Sequence, residues 1–357
     1  MNICFVNATH KWGGVKSWTV DVASGLAERG HTLLVAGRPG PFLEKSRARG
    51  LETLELAFGP DFNPVLIARL VRLFAARNID LVVVNVGKDM RAAGVAAGLL
   101  GIPVIHRVGL AGDMRNTWKV RLMHRLVRPR ILVPCQQIRD GLLQELPYIK
   151  PQDITVILTG KTPVPAPPTT VHTPVRCIST SQLNPDKGHA DVLTALAQLK
   201  TQGHDFLYHI VGTGSSEAEL KALGERLHLE DHLVWHGFQT DVPALLRQAD
   251  VFLLPSYSEG LPNALLEAMA QGLVCVARDV GGVREVWPES APDLLLSAPA
   301  TAQDWAATLA HVLTCPGQDL ARLRAAFWSV ACAHTVDDMT ARVENMMRSM
   351  LNKERAA

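Results

Sequence analysis

The sequence predicts an α/β protein built from two doubly wound domains. Short, nearly all-apolar stretches alternate with amphipathic stretches along most of the chain, as parallel strands do when helices cover both faces of their sheet. A proline-rich segment with few large apolar residues, 162–174, interrupts this alternation. With 357 residues, 47% of them hydrophobic, the chain can bury two cores of ordinary size. We therefore expect domains at 1–165 and 166–330, followed by a helical segment at 331–357.

In the first domain each apolar stretch is short enough for a buried strand, and each amphipathic stretch repeats with the period of a helix. The pattern predicts strands at 3–7, 32–36, 51–56, 81–85, 104–106, 131–134 and 154–158. It predicts helices between them at 15–29, 43–49, 65–77, 92–100, 118–127 and 138–146.

The same alternation resumes after the proline-rich segment. It predicts strands at 176–180, 206–212, 233–237, 251–255, 274–278 and 294–297. It predicts helices at 190–200, 217–227 and 242–248, one beginning at Pro262, one at 283–287, and a tail that is helical throughout 302–353.

Charge is distributed unevenly, although the net charge is only +2. Residues 1–165 carry 22 Lys and Arg against 12 Asp and Glu, which gives +10, and the remainder carries 14 against 22, which gives −8. A basic first domain suggests an anionic partner for that domain, although incidental drift of charge between domains gives the same counts.

The anionic partner could be a membrane surface. Seven basic residues and no acidic one lie within 115–139, and Trp118, Leu122 and Leu126 recur there at every fourth position, as in a basic helix lying on an anionic bilayer. The alternative is a helix that packs this apolar stripe on its own sheet. Nucleic acid is not expected as a partner, because the sequence contains no groove-reading motif or stacking aromatic array.

The chain is expected to be cytoplasmic, with at most a peripheral contact on the inner face of the membrane. No apolar stretch reaches eighteen residues without charge, and the first residues form a strand rather than a leader. The six cysteines are scattered, mostly within apolar stretches, which favours buried thiols in a reducing compartment.

The most informative stretch is 255–272, which predicts the end of a strand, a polar turn and the start of a helix. Pro262 suits the first helical position, and the amides near it lie at the positive end of the helix dipole, which attracts anions. Glu259 can accept hydrogen bonds from sugar hydroxyls, while Asn263 and Glu267, four residues apart, share one helix face. Two acceptors beside an anion site suit a sugar nucleotide.

This stretch resembles the signature of the group 1, family 4 glycosyltransferases, which have the GT-B fold. The resemblance extends over nearly the whole chain. The other matching motifs, in the family's order and spacing, are 13–16, 26–31, 182–188, 211–214, 235–238, 249–252 and 279–282.

The resemblance implies two Rossmann-like domains that face each other across a cleft, with the last helix crossing back onto the first domain. It implies a retaining transferase that moves a sugar from a nucleotide sugar, expected to be UDP-linked, to a glycan or glycolipid of the bacterial envelope such as lipopolysaccharide core. By this resemblance Lys187 stabilises the departing diphosphate, Glu259 contacts the transferred sugar and Glu267 accepts hydrogen bonds from the ribose hydroxyls.

Glycine-containing loops complete the expected donor site. Gly13 and Gly14 allow backbone amides to approach a phosphate or acceptor, or mark only a tight turn. Loops at 212 and at 237–238 lie where the family places the base, or are ordinary strand-end turns. The donor-site residues are then Gly13, Gly14, Gln182, Lys187, Gly212, Gly237, Phe238, Glu259, Gly260, Leu261, Pro262, Asn263 and Glu267.

The sequence departs from the family at Gln182, where the family has an arginine. Glutamine can donate a hydrogen bond to phosphate but carries no charge. The missing charge could come from Lys16, Arg107 or Arg284.

A histidine near the reacting sugar is common in the family, and His106 at the end of a predicted strand is the candidate. Because the family's histidine often lies slightly later in the chain, Arg107 and Asp113 remain alternatives. We therefore assign Glu259, Lys187 and His106 as the catalytic candidates.

A metal ion is not expected, because the sequence has no Asp-x-Asp motif and no cluster with ligand spacing. Lys187 would take the role that a divalent ion has elsewhere, and the nucleotide sugar would be a co-substrate with no further cofactor. Two alternatives stay open. One is a sugar-nucleotide-binding protein without catalysis, suggested by Gln182. The other is a GT-B nucleotide-sugar epimerase, which would carry acid and base residues of its own.

Overall fold

The computed structural model describes residues 1–10 and 13–355, apart from the side chains of residue 111 and residues 353–355. The chain forms two compact units, Met1–Thr159 together with the segment from Val336 onward, and Gly160–Thr335. These units divide the chain after Thr159 and Thr335, a few residues from the boundaries predicted after residues 165 and 330.

The first unit contains a parallel sheet. Its strands are β1 (Asn2–Asn7), β2 (Thr32–Gly37), β3 (Glu52–Glu55), β4 (Leu81–Val84), β5 (Val104–Arg107), β6 (Arg130–Val133) and β7 (Ile154–Val156). In the described part of this unit they form a seven-stranded sheet in the order β3-β2-β1-β4-β5-β6-β7, with parallel pairing throughout.

Helices connect these strands. They are α1 (Gly14–Glu28), α2 (Pro41–Ala48), α3 (Pro64–Ala76), α4 (Gly87–Asp89, a π-helical turn Met90–Gly94 and Val95–Leu99), α5 (Trp118–Val127) and α6 (Gln136–Glu145). Alternate residues of β1 serve opposite faces of the sheet, since Ile3 and Phe5 belong to one buried cluster and Cys4 and Val6 to another. This two-sided burial is why the strand is apolar at every position.

The second unit repeats the architecture. Its strands are β8 (Val175–Thr180), β9 (Phe206–Val211), β10 (Leu233–Gly237), β11 (Val251–Leu254), β12 (Val274–Arg278) and β13 (Leu295–Leu296). Within the residues that the structure describes, they form a six-stranded parallel sheet in the order β10-β9-β8-β11-β12-β13. Its helices are α7 (His189–Thr201), α8 (Glu217–Arg226), α9 (Val242–Leu246), α10 (Asn263–Ala270), α11 (Ala302–Thr314) and α12 (Gly317–Ala333).

The last helix, α13 (Val336–Arg355), belongs to the first unit. Met339, Val343 and Met347 recur every fourth residue and are buried in the same cluster as Trp18 and Ile3. The tail predicted as helical throughout 302–353 is therefore three helices, interrupted at Cys315–Pro316 and at His334–Thr335.

The proline-rich connection packs on the second unit, which explains the shifted boundary. Val164 N–H donates to Ala270 O at 2.8 Å. Arg324, 1% exposed, donates to the carbonyls of Pro168 and Thr170 and pairs with the buried Asp250 at 2.7 Å. A buried charge pair of this kind requires such extra hydrogen bonds to offset the loss of hydration.

Helix α5 bears on the alternative that its apolar stripe packs on its own sheet. Trp118, Leu122 and Leu126 are 68%, 39% and 62% exposed, whereas Met123 is the side chain that the helix buries. The interpretation of an inward-packed stripe is therefore wrong for these three residues.

Two further differences are local. The helix predicted at 283–287 is a short 3₁₀ turn, Val283–Val286. No helix in residues 1–10 and 13–355 combines the length and the apolar character needed to cross a bilayer.

Candidate functional site

The second sheet reverses its strand order between β8 and β11, which are neighbours in space. Ligands of open parallel sheets bind beyond the carboxyl ends of the strands at such a reversal. The loops that follow these two strands, 181–188 and 255–262, carry the candidate residues Lys187 and Glu259. The topology therefore brings together two motifs that are far apart in the sequence.

Lys187 and Glu259 form an ion pair, with Lys187 Nζ 2.8 Å from Glu259 Oε1. Their side chains are 19% and 16% exposed, so both are partly shielded yet reachable from solvent. Asp186 contributes a second carboxylate 3.5 Å from the same ammonium. Because an ammonium has three N–H groups, Lys187 retains the capacity to bind an anionic ligand.

Backbone contacts hold the two loops in place. Tyr257 N–H donates to Asp186 O at 2.9 Å. Gly188 has φ +67°, and a Cβ there would lie 2.2 Å from Pro255 O, so no larger residue fits between the loops. The position of Lys187 relative to Glu259 thus depends on a glycine in the left-handed region.

A third loop, which follows β12, packs against the backbone of Glu259. Gly282 N–H donates to Gly260 O at 2.6 Å. Gly281 has φ +60°, and a Cβ there would lie 2.4 Å from the carbonyl oxygens of Glu259 and Gly260. The two glycines of the motif 279–282 therefore support the loop that presents Glu259.

Helix α10 presents the second acidic candidate. Pro262 is the N-cap residue rather than the first helical residue as predicted, and the helix begins at Asn263. Glu267, one turn further along, has Oε1 2.9 Å from Lys161 Nζ. Gly260 and Leu261 are buried, and the buried Asn263 Oδ1 accepts no hydrogen bond from the part of the chain that the structure describes.

Lys161 is a further candidate residue, which the sequence reasoning missed. It is 8% exposed and contacts Glu267 from the start of the proline-rich connection. No sequence motif contains this lysine. A positive charge next to the proline-rich connection was the one feature that could have drawn attention to it.

Gln182 is exposed, and its Oε1 accepts a hydrogen bond from Asn184 Nδ2 at 3.1 Å. Asn184 Oδ1 in turn accepts from the Ser215 amide at 3.3 Å, which ties this loop to the loop after β9. Of the residues considered for the missing charge, Arg284 lies in the same unit but its Nε donates to Asp279 at 2.9 Å.

The loops predicted to meet the base adjoin these residues. A Cβ on Gly212, at φ +135°, would lie 1.8 Å from Ser181 O, and Gly212 N–H donates to Gly237 O at 2.8 Å. A Cβ on Gly237 would meet no atom within 4 Å, and Phe238 is 60% exposed. An open backbone beside an exposed aromatic ring suits the stacking of a planar ring.

The first unit has its own strand-order reversal, between β1 and β4. Gly13 is the N-cap of α1 and Gly14 its first residue, while the two residues before them, Lys11 and Trp12, lie outside the described residues. Lys16 Nζ donates to Thr9 O at 2.8 Å and to His10 O at 3.2 Å. This lysine is therefore bonded to its own loop.

Asp89 is a buried carboxyl beside this loop that the sequence did not reveal. It accepts hydrogen bonds from the backbone amides of Ala8, Asn85 and Val86 at 2.7 to 3.1 Å. Burial nevertheless raises the pKa of Asp89 to about 7. Its contacts join the carboxyl ends of β1 and β4, which makes it a structural support of this loop.

His106 is only 6% exposed, and its ring meets that of His124 edge to face at 6.2 Å between centroids. Burial, with His124 as a second cause, lowers the pKa of His106 to about 3, so the imidazole is neutral at physiological pH. Arg107 is 4% exposed and its guanidinium lies 4.6 Å from the centroid of the Trp18 ring. Burial raises the pKa of the third candidate, Asp113, whose Oδ2 accepts from Leu110 N–H at 3.0 Å.

Within residues 1–10 and 13–355, no three or more His, Cys, Asp or Glu side chains lie close enough together to hold a metal ion.

Two family models match the chain in succession. The model for Glycosyltransferase Family 4 matches residues 12–161, and the model for Glycosyl transferases group 1 matches residues 166–327. Together they cover both halves of the sequence and include the loops described above.

Curated relatives match over shorter lengths. WcaL of Escherichia coli K12, provisionally named as a colanic acid biosynthesis glycosyltransferase, is 31% identical over 212 residues, which are 55% of this chain and 51% of that protein. UDP-Gal:alpha-D-GlcNAc-diphosphoundecaprenol alpha-1,3-galactosyltransferase of Escherichia coli is 26% identical over 245 residues, 60% of this chain and 61% of that protein. The chain thus spans about half to three fifths of the length of these relatives.

Solved structures match over almost the full length at low identity. A glycosyltransferase from Rickettsia africae has a TM-score of 0.83 at 18% identity, covering 98% of both chains. HepE of Anabaena in complex with UDP-glucose has a TM-score of 0.81 at 20% identity, covering 98% of this chain and all of that one. These neighbours show a GT-B fold. The two family models, which match 12–161 and 166–327, show that the chain belongs to the group 1, family 4 glycosyltransferases.

Proposed function

We propose that the protein transfers a sugar, with retention and without a metal ion, from a UDP-sugar to a glycan or glycolipid acceptor of the bacterial envelope. The observation that carries this proposal is the Lys187–Glu259 pair at the strand-order reversal of the second sheet. There a fixed cation and a carboxylate lie side by side where such sheets bind nucleotides.

Each charged side chain of this site has a task that fits its position. Lys187 would donate to the diphosphate, whose negative charge grows as the bond to the sugar breaks, so the ammonium stabilises the transition state more than the ground state. Glu259 would accept hydrogen bonds from hydroxyls of the transferred sugar. Glu267, 27% exposed, would accept from the ribose hydroxyls.

Retention requires that the new bond form on the face from which the diphosphate leaves. In the proposed step, the bond from the anomeric carbon to the diphosphate oxygen breaks, the acceptor oxygen bonds to the same face, and its proton passes to the departing phosphate. The ion pair with Lys187 supports this direct route, because a carboxylate held by an ammonium is a weaker nucleophile for a covalent intermediate.

The named relatives support the donor and acceptor classes. The name of the galactosyltransferase gives a UDP-linked donor and an acceptor carried on diphosphoundecaprenol. WcaL is named for colanic acid, and HepE binds UDP-glucose. We therefore infer a UDP-sugar and an acceptor carried by, or destined for, the envelope.

The first test is a panel of nucleotide sugars, with release of UDP, GDP or ADP measured with and without EDTA. We expect release from a UDP-sugar that persists in EDTA and is lost in Glu259→Gln but not in Glu219→Gln, which removes an exposed carboxylate from α8. If a nucleotide stabilised the protein against heat but no nucleoside diphosphate were released, even with envelope extracts as acceptor, the protein would be a nucleotide-binding protein and not a transferase.

A lipid-carried acceptor would bring the protein to the inner face of the membrane, and we propose that α5 makes this contact. Trp118, Leu122 and Leu126 lie one turn apart on one exposed face. Lys119, Arg121 and Arg125 on the same helix are also exposed. Exposed apolar side chains flanked by charges of one sign match an anionic bilayer, which takes apolar groups at its surface and attracts cations.

This contact predicts sedimentation with vesicles that contain phosphatidylglycerol, much weaker sedimentation with phosphatidylcholine alone, and loss of binding as salt is raised. Replacing Trp118, Leu122 and Leu126 together by serine should abolish sedimentation and leave UDP release unchanged. As a control for nonspecific charge effects, Arg226→Gln with Arg322→Gln removes two exposed cations from the second unit and should leave sedimentation unchanged. Equal sedimentation of wild type and the serine variant would exclude α5 as the contact.

A further inference from the structure

We propose that Lys161 is a positioning residue that fixes the Glu267 carboxylate for the ribose hydroxyls, an inference that rests on the proposed nucleotide-sugar site. It assigns a role in donor binding to a residue of the connecting segment.

The burial of the pair is asymmetric. Lys161 Nζ lies 2.9 Å from Glu267 Oε1, and the side chains are 9% and 27% exposed. The ammonium is therefore enclosed while part of the carboxylate faces solvent. A ligand arriving from solvent meets the carboxylate, with the lysine behind it.

The backbone on both sides of Lys161 is fixed by hydrogen bonds. Lys161 N–H donates to His334 O at 3.1 Å. Three residues later, Val164 N–H donates to Ala270 O at the end of α10, the helix that carries Glu267, and Val164 O accepts from Trp328 Nε1 at 2.9 Å. The lysine is thus held by the same helix whose carboxylate it contacts.

The pair leaves room for ligand hydrogen bonds. A carboxylate has about four lone-pair sites, and Lys161 occupies one on Oε1. The remaining sites can accept from two vicinal hydroxyls, and bonds to an ionised acceptor are stronger than bonds between neutral groups. Without Lys161 the glutamate side chain would sample several rotamers, and binding would have to order it.

The proposal is tested by measuring the affinity of UDP and of 2′,3′-dideoxy-UDP by isothermal titration for wild type, Lys161→Met and Lys161→Arg. Only the hydroxyl-bearing nucleotide uses Glu267. We therefore expect Lys161→Met to lower the affinity for UDP about tenfold, a loss of the size expected for a charge-assisted hydrogen bond. The affinity for dideoxy-UDP should be unchanged. Lys161→Arg should recover most of the affinity, and in a Glu267→Gln background Lys161→Met should have no further effect.

Lys221→Met is the matched control, because it removes a lysine that pairs with a carboxylate on α8, with Nζ 2.8 Å from Glu217. If Lys161→Met lowered the affinity for both nucleotides equally, the proposal would be overturned, because that result would indicate a phosphate contact or a general structural role. No change with either nucleotide would overturn it as well. If wild type bound no nucleoside diphosphate at all, the proposed function itself would fail, which is a different result from either of these.

Discussion

Lys187 Nζ lies 2.8 Å from Glu259 Oε1, although 72 positions separate the two residues in the sequence. The pair forms because β8 and β11 are adjacent in the sheet and because Gly188 lets the loop after β8 pack directly on Pro255 of the loop after β11. Gly281, in the loop after β12, packs against the backbone of Glu259. In the proposed transfer, the Lys187 cation would contact the departing diphosphate and the Glu259 carboxylate the transferred sugar. The predictions below follow from this geometry and from the burial of specific groups.

Replacing Lys187 should reduce turnover far more than donor affinity. Lys187→Met removes the charge that stabilises the leaving diphosphate, and loss of one such group lowers kcat by about 10²- to 10³-fold. Lys187→Arg should retain part of the activity, because the charge persists in a different geometry. Steady-state kinetics on a UDP-sugar, with Lys221→Met as control, would measure this. A change in KM alone would show that Lys187 only binds the donor.

Gly281→Ala should damage both stability and activity. Position 281 has φ +60° and a Cβ there would lie 2.4 Å from two backbone carbonyls, so the loop bearing Glu259 must move. We expect a loss of about 3 kcal/mol in the free energy of unfolding, the sum of left-handed strain and a backbone clash. Gly237→Ala is the control, because φ is +63° there but nothing lies within 4 Å of its Cβ, so about 1 kcal/mol is expected. Equal losses in urea denaturation would contradict the argument.

Acid should destabilise the first unit through His106. The folded-state pKa of about 3 lies below the ordinary histidine value of 6.5, so between these values the unfolded chain binds a proton that the folded chain does not. The free energy of unfolding should therefore fall as the pH drops below about 6.5, and continue to fall towards pH 3. His106→Gln should lose less stability between pH 7 and pH 5 than wild type, measured by thermal unfolding, whereas the exposed His311→Gln should behave like wild type. Parallel losses in all three proteins would indicate that His106 is not buried as described.

The regular elements were predictable because hydrophobic periodicity determines them. Strands such as β1 and β4 are buried on both faces, which requires an apolar residue at every position and leaves a clear pattern. The pattern was less informative for α5, whose exposed stripe of Trp118, Leu122 and Leu126 has the same period as a buried one. Periodicity identifies a face of a helix but does not say what covers it.

The candidate site was predictable where residues lie in one continuous motif and not where contacts join distant segments. Glu259 and Glu267 lie in a single stretch, and the motif around Lys187 is also local. Lys161 has no motif, and its contact with Glu267 depends on how the connection folds back onto α10. Proline content likewise could not show that residues 160–165 are hydrogen-bonded to the second unit, as Lys161 and Val164 are.

The most direct test of the proposed transfer is to incubate the protein with a radiolabelled UDP-sugar and bacterial envelope lipids, and to follow the label into the lipid fraction and determine its anomeric configuration. We predict that label enters the lipid with the configuration of the donor, in the presence of EDTA, and that Glu259→Gln abolishes this transfer. Label that remains in intact UDP-sugar although the protein binds UDP, or a product of inverted configuration, would contradict the proposed retaining transfer.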